Sequence, residues 1–161
     1  MNDVFLLLGG NLGHTRSYFR EAEYKIGIGV GKIVGESSLY ESPAWGFEHE
    51  NTFLNKVICV NSQFKPVEVL RKCISIEQEL GRERNLSTGY SARKIDIDML
   101  FYNNEIIKTK ELTVPHPRLH QRRFTLLPLV EIAENLIHPI FKKTVLELLS
   151  SCSDDSKVEK I

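Results

Sequence analysis

The residues best suited to chemistry lie in Lys94-Ile95-Asp96-Ile97-Asp98-Met99, where charged and apolar side chains alternate strictly. On a strand, that alternation sends both carboxylates to one face, about 6.6 Å apart by strand rise, and the isoleucines to the other. Two like charges so close repel unless a cation sits with them. All-oxygen ligands on a short rigid frame suit Mg²⁺, whose shell water and phosphate oxygens would complete. The same spacing also describes the wet face of an edge strand, so the pair alone leaves both readings open.

The surroundings of the pair bear on that choice. From Arg82 to Arg123 there are nine Lys and Arg against five Asp and Glu, a net of +4 in a chain whose 21 basic and 21 acidic residues cancel overall, so the rest carries −4. Arginines offer bidentate, permanently charged donors, and beside a metal-binding carboxylate pair they make a polyphosphate the fitting ligand. A solvated, ion-paired surface would show the same excess. Other constellations are weaker. Gly9 to Thr15 lacks the Gly-Lys-Ser/Thr of a P-loop, since Gly13 is followed by His14. His116 and His120 are four apart, but Pro115 and Pro117 argue against one helical face, and no Glu follows His116 as in a zinc protease helix. No Gly-x-Ser-x-Gly or paired Cys/His motif marks a covalent nucleophile.

Positioning these residues requires a sheet. Val4 to Leu8 reads as a buried strand, and Gly9-Gly10-Asn11-Leu12-Gly13 turns it into a helix from Thr15 that carries Phe19, Ala22 and Ile26 until Gly27, Gly29 and Gly31. Ile33 to Tyr40 and Phe53 to Asn61 have strand character and are joined by an aromatic-bearing loop from Ser42 to Thr52. Pro66 opens a second helix that Gly81 ends. Lys94 to Tyr102 is a strand, followed by the turn Asn103-Asn104 into Glu105 to Ile107. The order βαββαβ predicts an α+β, ferredoxin-like antiparallel sheet with helices on one face. A C-terminal hairpin and helices follow, over Phe124 to Ala133 and from Thr144, which forms a capping box with Glu147.

Composition sets the outer bounds. A chain of 161 residues with 42% apolar content predicts one domain over 1–161, its polar end from about 150 expected to fray. Neutral overall charge argues against a nucleic acid or a membrane surface as partner. Cys59, Cys73 and Cys152 are odd in number and widely spaced, which fits a cytoplasmic protein. The apolar start is too short for a membrane span.

Taken together, Gly81-Arg82-Glu83-Arg84, Ser91-Ala92-Arg93-Lys94-Ile95-Asp96-Ile97-Asp98, Pro115-His116-Pro117, Arg122-Arg123-Phe124 and Pro128-Leu129-Val130-Glu131-Ile132 resemble the 6-hydroxymethyl-7,8-dihydropterin pyrophosphokinase family. The likeness runs nearly end to end, since Leu8-Gly9-Gly10-Asn11-Leu12, Ser38 to Pro43 and Phe53-Leu54-Asn55 also fall in place. It implies the ferredoxin-like fold and transfer of the β,γ-diphosphate of ATP to the pterin hydroxymethyl oxygen, releasing AMP, a step of folate biosynthesis. It also implies two Mg²⁺ on Asp96 and Asp98. Arg82 and Arg93 fall on arginines that close over the phosphates. Glu77, Arg84, Thr113, His116 and Arg122 fall with Arg93 on the ATP-binding side. For the pterin, Phe53 and Phe124 match the sandwiching aromatics, with Asn55 and the segment Ser42, Pro43 and Trp45 reading the ring's polar edge. ATP and the pterin are then the partners of an enzyme expected to be a monomer. The chain departs from the family pattern where Ser91-Ala92-Arg93 replaces Gly-Pro-Arg, at Trp45, and in a longer loop between Arg84 and Arg93. Two other readings compete: a different metal-dependent phosphoryl or nucleotidyl transferase, and a ferredoxin-like module for single-stranded nucleic acid.

Overall fold

In the computed structural model, residues 1–10, 15–43, 52–81, 83–84, 91–92 and 94–161 are described, 83–84 and 91–92 as backbone alone. The central strands are β1 (Asn2–Gly10), β4 (Phe53–Ser62) and β7 (Asp96–Tyr102). β1 lies between the other two and is antiparallel to both. Its run Phe5-Leu6-Leu7-Leu8 is apolar on both faces because both faces are covered, which is why it does not alternate.

Two short strands share the far edge of β4. β2 (Lys32–Glu36) pairs with its C-terminal half and β3 (Tyr40–Ser42) with its N-terminal end. The sequence predicts one continuous strand here. Ser37 explains how the break is tolerated: its N–H donates to the Val57 carbonyl at 2.9 Å and its hydroxyl accepts the Val57 N–H at 2.9 Å. One residue thus satisfies both groups that a ladder would otherwise pair. Counting β2 and β3 as one interrupted strand, the sheet has the expected ferredoxin-like arrangement.

Two helices cover one face. α1 (Thr15–Gly29) buries Thr15, Phe19, Ala22 and Ile26, a stripe at helical spacing. It runs through Gly27 and ends at Gly29, within the glycine-rich stretch expected to stop it, with Ile26 and Val30 anchored in the core. α2 (Pro66–Glu79) starts on Pro66 and ends at Gly81, whose φ of +100° suits a residue without a side chain. Val4, Leu6, Leu8, Ile58, Val60, Ile95, Ile97 and Met99 pack against this pair.

The second face has its own cover, whose position the sequence leaves open. α3 (Arg123–Ala133) and α4 (Val145–Ser150) place Leu126, Leu129, Val145 and Leu148 against Leu7, Val57, Leu100 and Phe101. The capping box of Thr144 and Glu147 is formed. Between β7 and α3 the chain makes a small hairpin of β8 (Ile107–Lys108) and β9 (Thr113–Val114), then a 3-10 turn over Leu119–Gln121. β5 (Glu83–Arg84) and β6 (Ser91–Ala92) pair as a separate two-stranded ribbon. The polar end, expected to fray, is fastened instead. Asp154 accepts the Arg123 N–H at 2.9 Å, and β10 (Glu159–Lys160) adds to the edge of β3. Composition misses this because the attachments are one carboxylate and a backbone ladder, not apolar contacts. Among the described residues no helix is long and apolar enough to cross a membrane.

Gly31 marks the tightest point of the frame. A Cβ there would overlap the carbonyl oxygen of Asn61, so the turn from α1 into β2 must separate from β4 to admit one. Gly31→Ala is expected to lower stability by about 2 kcal/mol in denaturant titration. An unchanged midpoint would show that the turn has slack.

Candidate active site

Paired residues of an antiparallel ladder present their side chains to the same face, so the register can be read as rows across the sheet. One row runs Tyr40, Asn55, Gly9, Asp96 over β3, β4, β1 and β7. The next runs Val57, Leu7, Asp98. Both rows lie on the α3 face. Ile95 and Ile97 point the other way and are 1% and 5% exposed, so burial of the alternate residues fixes the carboxylates on the site face. The sequence-level alternation therefore holds in the fold.

Asp96 and Asp98 open into a cavity of about 200 Å³ that is also lined by Leu7, Gly9, Ser42, Pro43, Phe53, Asn55, Arg122 and Phe124. Phe53 comes from the start of β4 and Phe124 from the first turn of α3. Neither is fully buried, whereas aromatic residues of the core such as Phe101 and Tyr102 are. Asn55 is 3% exposed, and its amide donates to the Ser42 hydroxyl at 2.9 Å, fixing two polar groups at one end of the cavity. Gly9 occupies the floor between Asn55 and Asp96. A Cβ at Gly9 would stand 3.4 Å from the side-chain amide oxygen of Asn55, so any larger side chain there would fill the space between the two polar ends. Gly9 is not among the site residues expected from the sequence. Its role was signalled by a glycine pair directly after a buried strand.

Arg122 immediately precedes α3 and lines the same cavity. Burial lowers its pKa, the nearby Asp98 carboxylate works in the opposite direction, and Arg118 adds to the lowering. A guanidinium keeps its charge under such shifts. It lies over the Phe124 ring at 5.6 Å, which links the charged and aromatic sides of the cavity. His116 is held by two backbone contacts: its N–H donates to the Leu100 carbonyl at 3.0 Å, and its Nδ1 accepts the Arg118 N–H at 3.1 Å. Burial, then the positive charges of Arg122 and Arg118, bring its pKa down to about 4. The ring is thus neutral at pH 7. With Nδ1 accepting, its proton is on Nε2, which makes that nitrogen a donor.

The remaining sequence-predicted residues are spread around this centre. Thr113 is exposed on β9, three residues before His116. Glu77 does not line the cavity. It is 5% exposed on α2 and accepts the N–H of Ile97 at 3.2 Å, the backbone group between the two aspartates. Arg84 is in the ribbon with Ser91. Trp45, Arg82 and Arg93, with most of the segment 85–91, lie outside the described residues.

Chemically, the arrangement joins an anionic corner to an aromatic slot. Among the described residues no group of three or more His, Cys, Asp and Glu would close a metal site made of protein alone. Two half-buried carboxylates on alternate strand positions fit a hard cation that takes its other ligands from water and phosphate. Arg122 on the cavity wall is a cationic donor suited to phosphate oxygens, and the neutral His116, close enough to feel its charge, does not itself line the cavity. The slot between Phe53 and Phe124, with Asn55 and Ser42 at one end, suits a flat heterocycle with a polar edge.

Residues 5–134 match the family described as 7,8-dihydro-6-hydroxymethylpterin-pyrophosphokinase (HPPK). A 2-amino-4-hydroxy-6-hydroxymethyldihydropteridine pyrophosphokinase of Aquifex aeolicus is 44% identical over 149 residues, spanning 91% of this chain and 90% of that protein. One of the same name from Bacillus subtilis is 37% identical over 141 residues, spanning 84% and 81%. Among solved structures, an HPPK-DHPS chain of Plasmodium falciparum superposes with a TM-score of 0.76 at 18% identity, over 92% of this chain and 44% of that one. This chain therefore spans less than half of the longer one, and at that identity the likeness is one of fold.

The His116 environment has a direct test. The ring is expected to titrate near pH 4 by NMR, well below the ordinary 6.5. Because the folded value is the lower, its contribution to stability is present above pH 6.5 and is lost as pH falls toward 4. Titration near 6.5 would contradict the burial and the charges described.

Proposed function

Because the chain belongs to the 7,8-dihydro-6-hydroxymethylpterin-pyrophosphokinase family, we propose that its cavity is where the reduced pterin meets the phosphates of ATP. The enzyme is a diphosphotransferase of folate biosynthesis: it moves the β,γ-diphosphate of ATP to the pterin hydroxymethyl oxygen and releases AMP. The observation that carries the site reading is that the carboxylate pair and the two phenylalanines open into one cavity, with Gly9 between Asn55 and Asp96 on its floor.

The pterin lies between Phe53 and Phe124, its amino and carbonyl edge read by Asn55, Ser42, Pro43 and Trp45. Its hydroxymethyl oxygen then points along the floor toward Asp96 and Asp98. That oxygen attacks the β-phosphorus, the bond from the β-phosphorus to the oxygen bridging to the α-phosphate breaks, and AMP departs with that oxygen and its electron pair. The hydroxyl proton passes to solvent, and positioning rather than a strong base accounts for most of the rate. Asp96 and Asp98 would hold two Mg²⁺ together with the nucleotide. When bound, these ions neutralise phosphate charge and polarise the transferring group. Arg122 and the Nε2–H of His116 bind phosphate oxygens, with Thr113, Arg84 and Glu77 on the nucleotide side. Arg82 and Arg93 close over the reacting phosphates and stabilise charge there. On this reading the enzyme is a single domain over 1–161 that acts as a cytoplasmic monomer.

Incubation with ATP, Mg²⁺ and 6-hydroxymethyl-7,8-dihydropterin is expected to yield AMP and pterin diphosphate in equal amounts. ADP as the only nucleotide product, or no turnover, would sink the proposal. Asp96→Ala and Asp98→Ala are each expected to lower kcat on the order of a hundredfold or more, with circular dichroism unchanged. Near-normal rates in either variant would remove the carboxylates from the mechanism.

A further inference from the structure

The two walls of the aromatic slot belong to different elements, since Phe53, Ser42 and Asn55 are on the β3–β4 ladder and Phe124 is on α3. The width of the slot therefore depends on how α3 is attached to β3. Seven residues beyond Phe124, and so on the same side of the helix two turns later, is Glu131. Its carboxylate accepts the Ser38 N–H at 3.1 Å, the Ser38 hydroxyl at 2.7 Å and the Tyr40 hydroxyl at 2.6 Å. Lys160 of β10 lies 3.6 Å away. Tyr40 is 7% exposed and pairs across the ladder with Asn55, whose amide in turn donates to Ser42. A continuous line of contacts thus runs from α3 to the polar end of the slot.

We propose that Glu131 is a positioning residue for the pterin: by latching α3 to Ser38 and Tyr40 it sets the gap between Phe124 and the β3–β4 wall. This deepens the pterin reading above and rests on it. Glu131 does not line the cavity, so it cannot act by touching the ring. The asymmetry of the contacts gives the latch its direction. Three donors from β3 and the residues before it converge on one anion, and charge-assisted bonds of this kind tolerate little change in length. Most of the nucleotide side hangs on β7, β9, α2 and β5, none of which the latch touches, and Arg122 is the N-cap at the opposite end of α3 from Glu131. Its loss should accordingly separate the two substrates.

The test uses the full chain with steady-state kinetics in both substrates. Glu131→Gln keeps the shape of the side chain but turns an acceptor toward the donors into an NH₂ group. It is expected to raise the pterin KM about tenfold while kcat and the ATP KM stay within about twofold. Tyr40→Phe, which removes one donor and leaves the carboxylate on Ser38, is expected to shift the pterin KM in the same direction by less. It also carries the test alone if Glu131→Gln does not fold. The double variant should be no worse than Glu131→Gln within about twofold, because the two residues act through one contact. An unchanged pterin KM in folded variants would overturn the latch while leaving the function intact. Equal rises in both KM values together with a lowered melting temperature would also overturn it, since general loosening would explain them. If the unaltered protein does not turn over the pterin, the parent reading falls and the latch with it.

Discussion

The antiparallel ladder between β1 and β7 is the constraint on which the rest of the site depends. It sets Gly9 opposite Asp96 and Leu7 opposite Asp98, while Ile95 and Ile97 are committed to the core beneath α1 and α2. A one-residue slip would bury both carboxylates and expose both isoleucines, so the hydrophobic effect itself enforces the register. Glu77 reinforces it from the α2 side by accepting the N–H of Ile97, a backbone group that would otherwise need another partner. Two acidic side chains are thereby held together on one face by contacts that none of their own charge provides.

Covering both faces of the sheet would ordinarily leave no room for ligands. The structure makes room at one place, where β1 ends in Gly9 and Gly10 and where α3 begins. The absence of a side chain at Gly9 leaves the floor open, and the start of α3 brings Phe124 and the N-cap residue Arg122 to its rim. The C-terminal residues contribute at this point too, since Asp154 meets the first N–H of α3 and β10 extends β3. The slot is therefore bounded by elements fastened to one another, at Asp154 and Arg123 and at Glu131 with Ser38 and Tyr40.

Much of this was legible in the sequence, for local reasons. The alternation of Asp96 and Asp98, the helix between Pro66 and Gly81, and the capping box at Thr144 each depend on neighbours within a few residues. What was not legible depends on distant partners. The break at Ser37 works only because Val57 is there to bond with it, and the role of Glu131 needs Tyr40, 91 residues away. α1 continues through Gly27 to its end at Gly29 because tertiary burial at Ile26 and Val30 offsets the roughly 1 kcal/mol that a glycine inside a helix costs. Phe53 and Phe124 could not be told from core phenylalanines by type. Only the family resemblance singled them out, and their partial exposure on a shared cavity is a property of the fold.

The central claim is that one carboxylate pair holds the metal ions that join the nucleotide to a pterin stacked beside it. Crystals grown with Mn²⁺, a non-hydrolysable ATP analogue and a pterin analogue, measured at the manganese absorption edge, test it most directly. The expected result is two anomalous peaks bridging Asp96, Asp98 and the phosphate oxygens, with the pterin ring between Phe53 and Phe124. Nucleotide bound with its metal peaks away from both aspartates would contradict the account.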